Sequence, residues 1–325
     1  MKELILKATN GQDVCLVETI QSLWSGYGSL DRYAVEGGNL ASVIVKHVKL
    51  PSGSDTLAHP RGWNTSASHL RKLCSYEVES HWYRHWAERC DETCRVPKTL
   101  ALEKSDHEFV MMLEDLDATG FPKRPNHVTR TEITACLHWL ANFHATFMQV
   151  KPDGLWEVGT YWHLATRADE YDVMEAGELK DAAQYLEDTL SQAPFQTFVH
   201  GDAKLANFCF SESGAEVAAV DFQYVGGGCG MKDVAYFIGS CLDEHECEAM
   251  ETELLDLYFE ALTQALEQKQ PDINPTDVEA AWRPLYAVAW TDFYRFLKGW
   301  SPQHWKVHSY SERMAQTVLK KRVNV

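Results

Sequence analysis

The chain has 325 residues, 45% of them hydrophobic, a formal net charge of -17 and a pI near 5.2. That length can bury a core large enough for two lobes, and the acidic balance argues against nucleic acid or an anionic membrane surface as the main partner. It is compatible with a cationic ligand as well as with plain solubility. Nine cysteines make an odd, scattered set; Cys90 and Cys94 stand at C-x3-C spacing without a second pair at zinc-site spacing, so they read as reduced thiols. M-K-E-L-I-L-K-A-T-N lacks the apolar core of a signal peptide, and no run approaches about 18 apolar residues. The chain therefore reads as soluble and cytoplasmic.

Residues 1 to 24 begin with alternating apolar positions and a Gly11-Gln12-Asp13 turn. In S-G-Y-G-S-L-D-R-Y-A-V, residues 25 to 35, Gly26 and Gly28 supply two of the three glycines of G-x-G-x-x-G, and Asp31 takes the third place. Such a turn lets backbone amides approach phosphate oxygens; a plain hairpin needs the same residues. Ala41 to Leu50 is β-branched and reads as a strand. Residues 51 to 68 are turn-rich and read as a loop. A helix is predicted from about His69 to Arg89, with Tyr76, Glu79 and Tyr83 on one face. Val96 to Leu102 and Glu108 to Leu113 read as strands, followed by E-D-L-D-A-T-G-F-P at 114 to 122. Thr129 opens a capping box, T-R-T-E, before a helical run that includes Ile133, Leu137, Leu140, Ala141 and a buried or capping His144. Residues 167 to 192 predict one or two amphipathic helices.

The chemistry concentrates between Val199 and Asp221, in V-H-G-D-A-K-L-A-N-F-C-F and V-A-A-V-D-F-Q. Phe208 to Phe210 and Val217 to Val220 read as a short hairpin with Ser211 to Ala215 as its turn. Asp202 and Asn207 precede it, Asp221 ends it, and Lys204 lies in the first loop. Magnesium takes a few protein oxygens and leaves other positions to water and phosphate. Asn207 and Asp221 can supply those oxygens, which frees Asp202 to orient and deprotonate a hydroxyl. Further on, three consecutive glycines and Gly230 read as a flexible loop, and Asp233 as the N-cap of an apolar helix. Glu248 to Glu267 predicts a helix, and Pro275 starts another. The aromatic run from Trp282 to Trp305 reads as helix core or as a pocket wall, where Asp292 could help hold a cation.

H-G-D-x-K-x-x-N followed by D-F-Q resembles the catalytic core of the aminoglycoside phosphotransferase and choline kinase family. Y-E-V-E-S-H-W-Y and the E-D-L stretch lean toward its ecdysteroid-kinase-like subgroup. The related protein-kinase signature is H-R-D-x-x-x-x-N with D-F-G; here Gly201 replaces Arg and Gln223 replaces Gly. The resemblance spans about residues 25 to 240. It implies an α+β, bilobal protein-kinase-like fold: an N-terminal antiparallel sheet lobe with one helix, residues 1 to 113, and a larger, mainly helical lobe, residues 114 to 325. It implies ATP and Mg²⁺ as cofactors and a small-molecule hydroxyl as acceptor. Gly26, Gly28, Ser29 and Lys46 would hold ATP phosphates, and Glu79 would pair with Lys46. Met112, Leu113, Glu114 and Leu116 would form the adenine slot of a hinge at about 112 to 117. Asp202 would be the catalytic base, Lys204 would neutralise the transferring group, Asn207 and Asp221 would bind metal, and Asp233 would brace the catalytic loop. A silent nucleotide-binding module is the alternative from another class. A protein kinase is disfavoured because nothing like A-P-E occurs between 223 and 240.

Overall fold

The computed structural model describes residues 1–23, 26–49, 65–105 and 108–323. Residues 51–64 of the turn-rich segment and Ser25 of the glycine turn lie outside the described residues.

The alternating apolar positions at the start fold as a helix, α1 (Lys2–Thr9), ended by Asn10 in the left-handed conformation. Ile5 is fully buried with Val35, Val43 and Val45. Docking one helix face on a sheet outweighs the local alternation, since tertiary packing supplies most of a short helix's stability. The sheet comprises β1 (Asp13–Ser22), β2 (Gly28–Glu36), β3 (Ser42–Lys49), and, after helix α2 (Thr65–His85), β4 (Thr99–Lys104) and β5 (Glu108–Glu114). Its order is β1-β2-β3-β5-β4, with every neighbouring pair antiparallel.

Two-residue periodicity gives the sheet two different faces. Val43, Val45, Val110 and Met112 pack beneath α1. Their alternates face the other way: Val48 and Phe109 meet Tyr76 of α2, while Ile44, Lys46 and Leu113 line a cleft.

The helical lobe begins with α3 (Arg130–Thr146), where Thr129 and Glu132 form the expected capping box. Three short helices, α4 (Ala168–Asp172), α5 (Glu178–Asp181) and α6 (Ala183–Ser191), occupy the segment read as one or two. Then come β6 (Thr197–Val199), the hairpin β7 (Phe208–Phe210) and β8 (Val217–Ala219), and β9 (Gly226–Gly228). The chain ends in α7 (Met231–Cys241), α8 (Glu244–Lys269), α9 (Pro275–Trp282), α10 (Leu285–Trp300) and α11 (Ser309–Val323).

Two expectations are corrected here. The glycine run is a strand, β9, paired antiparallel with β6; a Cβ on Gly226 would stand 2.2 Å from the Trp156 carbonyl oxygen, so close backbone approach explains the composition. Asp233 is not an N-cap: α7 starts at Met231 after Gly230, and Asp233 lies inside its first turn.

One aromatic core ties the two lobes together. Phe222 is fully buried and stacks on Trp82 of α2 with ring centres 4.5 Å apart, while Trp139 and Phe143 of α3 stack at 4.9 Å beside it. Burial of a Phe side chain is worth about 1.5–3 kcal/mol, enough to anchor the residues on either side of Phe222.

Candidate active site

The cleft between sheet and helices has a volume of about 990 Å³. Lys46 projects into it from β3, and its Nζ lies 2.9 and 2.6 Å from the two carboxylate oxygens of Glu79 on α2. Asp221 Oδ1 stands 3.7 Å from the same ammonium. Burial works to lower the Lys46 pKa, but Glu79 and Asp221 together raise it, so the ammonium stays charged. Burial likewise opposes ionisation of Asp221, and Lys46, Lys72 and Lys204 more than offset it, leaving this carboxyl below its usual range.

The loop from His200 to Asn207 is held from below by Asp233. Its carboxylate accepts hydrogen bonds from the backbone N–H groups of His200 (2.5 Å) and Gly201 (3.0 Å), and His144 Nε2 lies 3.2 Å away. Gly201 has φ +78°, and a Cβ there would meet the Tyr224 carbonyl oxygen at 2.1 Å. That contact accounts for glycine where the related signature has arginine. Asp202 is buried, and its carboxylate accepts from Lys204 Nζ (2.8 Å), Asn207 Nδ2 (3.1 Å) and the Tyr236 hydroxyl (3.2 Å). Burial tends to lower the Lys204 pKa, and the adjacent Asp202 carboxylate raises it on balance. The Val220 N–H donates to the Asn207 carbonyl at 2.9 Å, which brings Asn207 and Asp221 together at the hairpin base. Asp221 adopts φ +68°, a conformation few non-glycine residues take and one that concentrates at functional sites.

The remaining sequence candidates divide. Leu113, Glu114 and Leu116 line the cleft, whereas the Met112 side chain lies on the opposite sheet face with Ile5 and Val43. Glu114 is committed to structure: it accepts from Arg95 at 2.6 Å and from the Lys98 N–H at 3.0 Å. At the glycine turn, the cleft wall is made by Ile20, Gln21, Leu23 and Leu30, not by Gly26, Gly28 or Ser29. A Cβ on Gly28 would stand 1.8 Å from the His47 carbonyl oxygen, and the Ser29 hydroxyl donates to Asp31 at 2.6 Å. Asp292 cannot serve a cationic ligand. It is fully buried, with Arg295 Nη2 at 2.8 Å and Trp162 Nε1 at 3.0 Å already on its oxygens.

Two lysines escaped the sequence reading. Lys72 lies seven residues before Glu79, hence on the same face of α2, and its Nζ donates to Gln223 Oε1 at 2.5 Å. Burial, reinforced by the nearby Lys46 charge, lowers its pKa to about 8. Lys306 follows α10 and also lines the cleft, beside Tyr161, Tyr236, Phe293 and Trp300.

A magnesium ion fits what is present at the hairpin base. Asp221 Oδ1 is buried without a hydrogen-bond partner among the described residues, and Asn207 beside it offers a neutral carboxamide oxygen, a hard donor set of the kind this ion prefers.

A sheet lobe with a buried lysine–glutamate pair between β3 and α2, a helical lobe across the cleft, and a D-F stretch running directly into a short connection before α7 make up the protein-kinase-like fold. The sequence matches the model of the ecdysteroid kinase-like family over residues 69–154 and 160–270, more than half of its length, and the chain belongs to that family. By family it is a small-molecule kinase. No curated protein sequence matches it. Among solved structures, a microcompartment-associated aminopropanol kinase is similar over 98% of this chain and 95% of its own, with TM-score 0.55 and 14% identity. An ethanolamine kinase from Plasmodium vivax (94% and 82% covered, TM-score 0.49, 9% identity) and an aminoglycoside-3'-phosphotransferase of type VIII (85% and 93%, 0.44, 15%) are also similar. Among the described residues no helix is long and apolar enough to cross a membrane.

Proposed function

We propose that the protein is a cytoplasmic, ATP- and Mg²⁺-dependent kinase of a small-molecule alcohol, with lobes dividing at residues 113 and 114. The observation that carries this reading is Asp221 Oδ1, which is buried without a hydrogen bond among the described residues and has only the Lys46 ammonium, at 3.7 Å, to offset its charge. A buried charged oxygen without a hydrogen bond is costly, and a directly bound cation would complete it. Asn207 and Asp221 would hold Mg²⁺, which when bound screens the negative charge of the phosphates.

Lys46, fixed by Glu79, would hold the α and β phosphates, with Leu113 and Leu116 against the base. Asp202 would orient the acceptor hydroxyl and take its proton. The acceptor oxygen forms a bond to the γ-phosphorus as the bond from that phosphorus to the β–γ bridging oxygen breaks, releasing ADP. Lys204, 2.8 Å from Asp202, stands where it could neutralise the group in transit. Positioning and charge neutralisation are what phosphoryl transfer chiefly demands.

An ADP-release screen against a panel of small alcohols tests the reading. Turnover of at least one alcohol, lost in Asp202→Ala, is the expected result. Tight MgATP binding without turnover of any alcohol would instead favour a silent nucleotide-binding module.

A further inference from the structure

Lys306 lies in the connection between α10 and α11, and its backbone is fixed from both sides. Its N–H donates to His304 Nδ1 at 3.2 Å, and its carbonyl accepts from the Ser311 hydroxyl at 2.9 Å. The side chain turns inward: the residue is 9% exposed, and its Nζ stands 4.7 Å from the Tyr236 ring centre and 5.4 Å from those of Phe293 and Trp305. Among the described residues this ammonium has no hydrogen-bond or ion-pair partner. The carboxylate with the strongest pull on it is Asp202, which Lys204 already pairs at 2.8 Å.

A buried ammonium resting on aromatic faces recovers only part of its lost hydration. The ligand that completes it is an anion. A cation would meet repulsion at the same point, and Asp292, the buried acid on α10, is already taken by Arg295 and Trp162. Tyr236 carries Lys306 over its ring face and donates its hydroxyl to Asp202 at 3.2 Å, so one side chain touches both the ammonium and the base.

Building on the phosphotransferase reading, we infer that the acceptor end of the cleft is a subsite for an anionic alcohol. Its apolar body would lie against Phe293 and Trp300, its carboxylate would pair with Lys306, and its hydroxyl would face Asp202. The transfer step is the one already written, and the product carries the new phosphate in addition to the original anion.

Three probes of one shape test the inference: 4-(hydroxymethyl)benzoate, its methyl ester, and the trimethylammonium analogue. Binding is measured by calorimetry on the full chain and on Lys306→Met and Lys306→Arg, with ADP release followed separately. The wild type should bind the acid about tenfold or more tighter than the ester, and the ammonium compound least. Lys306→Met should bring the acid-to-ester ratio near one, and Lys306→Arg should retain the preference. Equal binding of the three probes by the wild type, binding of none, or an acid preference that survives in Lys306→Met would overturn it. Acid binding through Lys306 without ADP release would leave the subsite standing and remove the phosphotransferase reading. ADP release with the ester and the ammonium alcohol alike would do the reverse.

Discussion

Gln223 accepts a hydrogen bond from Lys72 at 2.5 Å and lies 3.3 Å from the Ser75 hydroxyl, so the third residue of D-F-Q is tied to the helix that carries Glu79. One amide thereby aims a second lysine into the cleft. Gln223→Gly should lower kcat/KM for MgATP about tenfold, the weight of one hydrogen bond to a charged group. Steady-state kinetics at saturating acceptor check this, and an unchanged value would reduce the contact to packing.

Lys72 also predicts a pH dependence. Burial, then the Lys46 charge, brings its pKa from 10.5 to about 8. Its ammonium is available to phosphate below that value and is lost above it. MgATP affinity should therefore weaken as pH rises through about 8, and Lys72→Met should flatten that limb. The stability effect has the opposite sign. The folded pKa lies below the unfolded one, so the cost of burying this charge is present in full below the folded pKa and is relieved as pH rises toward the unfolded value. Titrating nucleotide affinity and urea midpoint in parallel separates the two trends.

The Lys46–Glu79 pair makes a double-mutant test direct. Both side chains are at least nine-tenths buried, so Lys46→Met strands a carboxylate and should cost about 3–5 kcal/mol in urea unfolding. Pairing it with Glu79→Leu should return most of that stability and none of the activity. If the double variant were no more stable than Lys46→Met alone, the stranded charge would not be the cause.

Asp202 and Asp221 should separate chemistry from binding. Asp202→Asn is expected to lower kcat by about 10²- to 10⁴-fold with MgATP affinity near wild type. Asp221→Asn should weaken MgATP binding itself while tolerating φ +68°, which asparagine adopts more readily than most residues. Asp221→Ala adds backbone strain of about 1–3 kcal/mol, so it should also melt earlier. Calorimetric nucleotide titrations and thermal unfolding decide between these outcomes.

Asp233 is a positioning residue. Asp233→Ala removes the acceptor for the N–H groups of His200 and Gly201 and leaves His144 without its acid partner. Buried donors without partners cost about 1–3 kcal/mol each. The variant should lose stability, and kcat should fall more than KM for MgATP changes. Asp233→Asn, which keeps one acceptor oxygen, should recover part of both; equal losses in the two variants would argue against loop bracing.

The sequence was most readable where chemistry demands fixed spacing. The β7–β8 hairpin, the Thr129 capping box and the shared face of Tyr76, Glu79 and Tyr83 all follow from local pattern. Reading failed where tertiary contact decided. The apolar residues of α1 became helical because the sheet offers them a face, and Met112 turned from the cleft because strand alternation gave that side to Leu113. Asp292 looked available until Arg295, one turn along α10, closed on it. The glycines of β9 read as freedom where they serve close packing. Lys72 was within reach, since two helical turns separate it from Glu79. Lys306 was not: only the fold brings the loop after α10 to Asp202.

The Asp233 contacts carry a consequence for the order in which the protein is built. The catalytic loop at His200 and Gly201 takes its shape from a carboxylate more than thirty residues later in the chain. A ribosome releasing this polypeptide delivers the sheet, Lys46 and Glu79 long before α7 exists. A nascent chain could hold its lysine–glutamate pair and still have a slack loop. The loop takes its shape late in translation, from one residue that does not itself line the cleft.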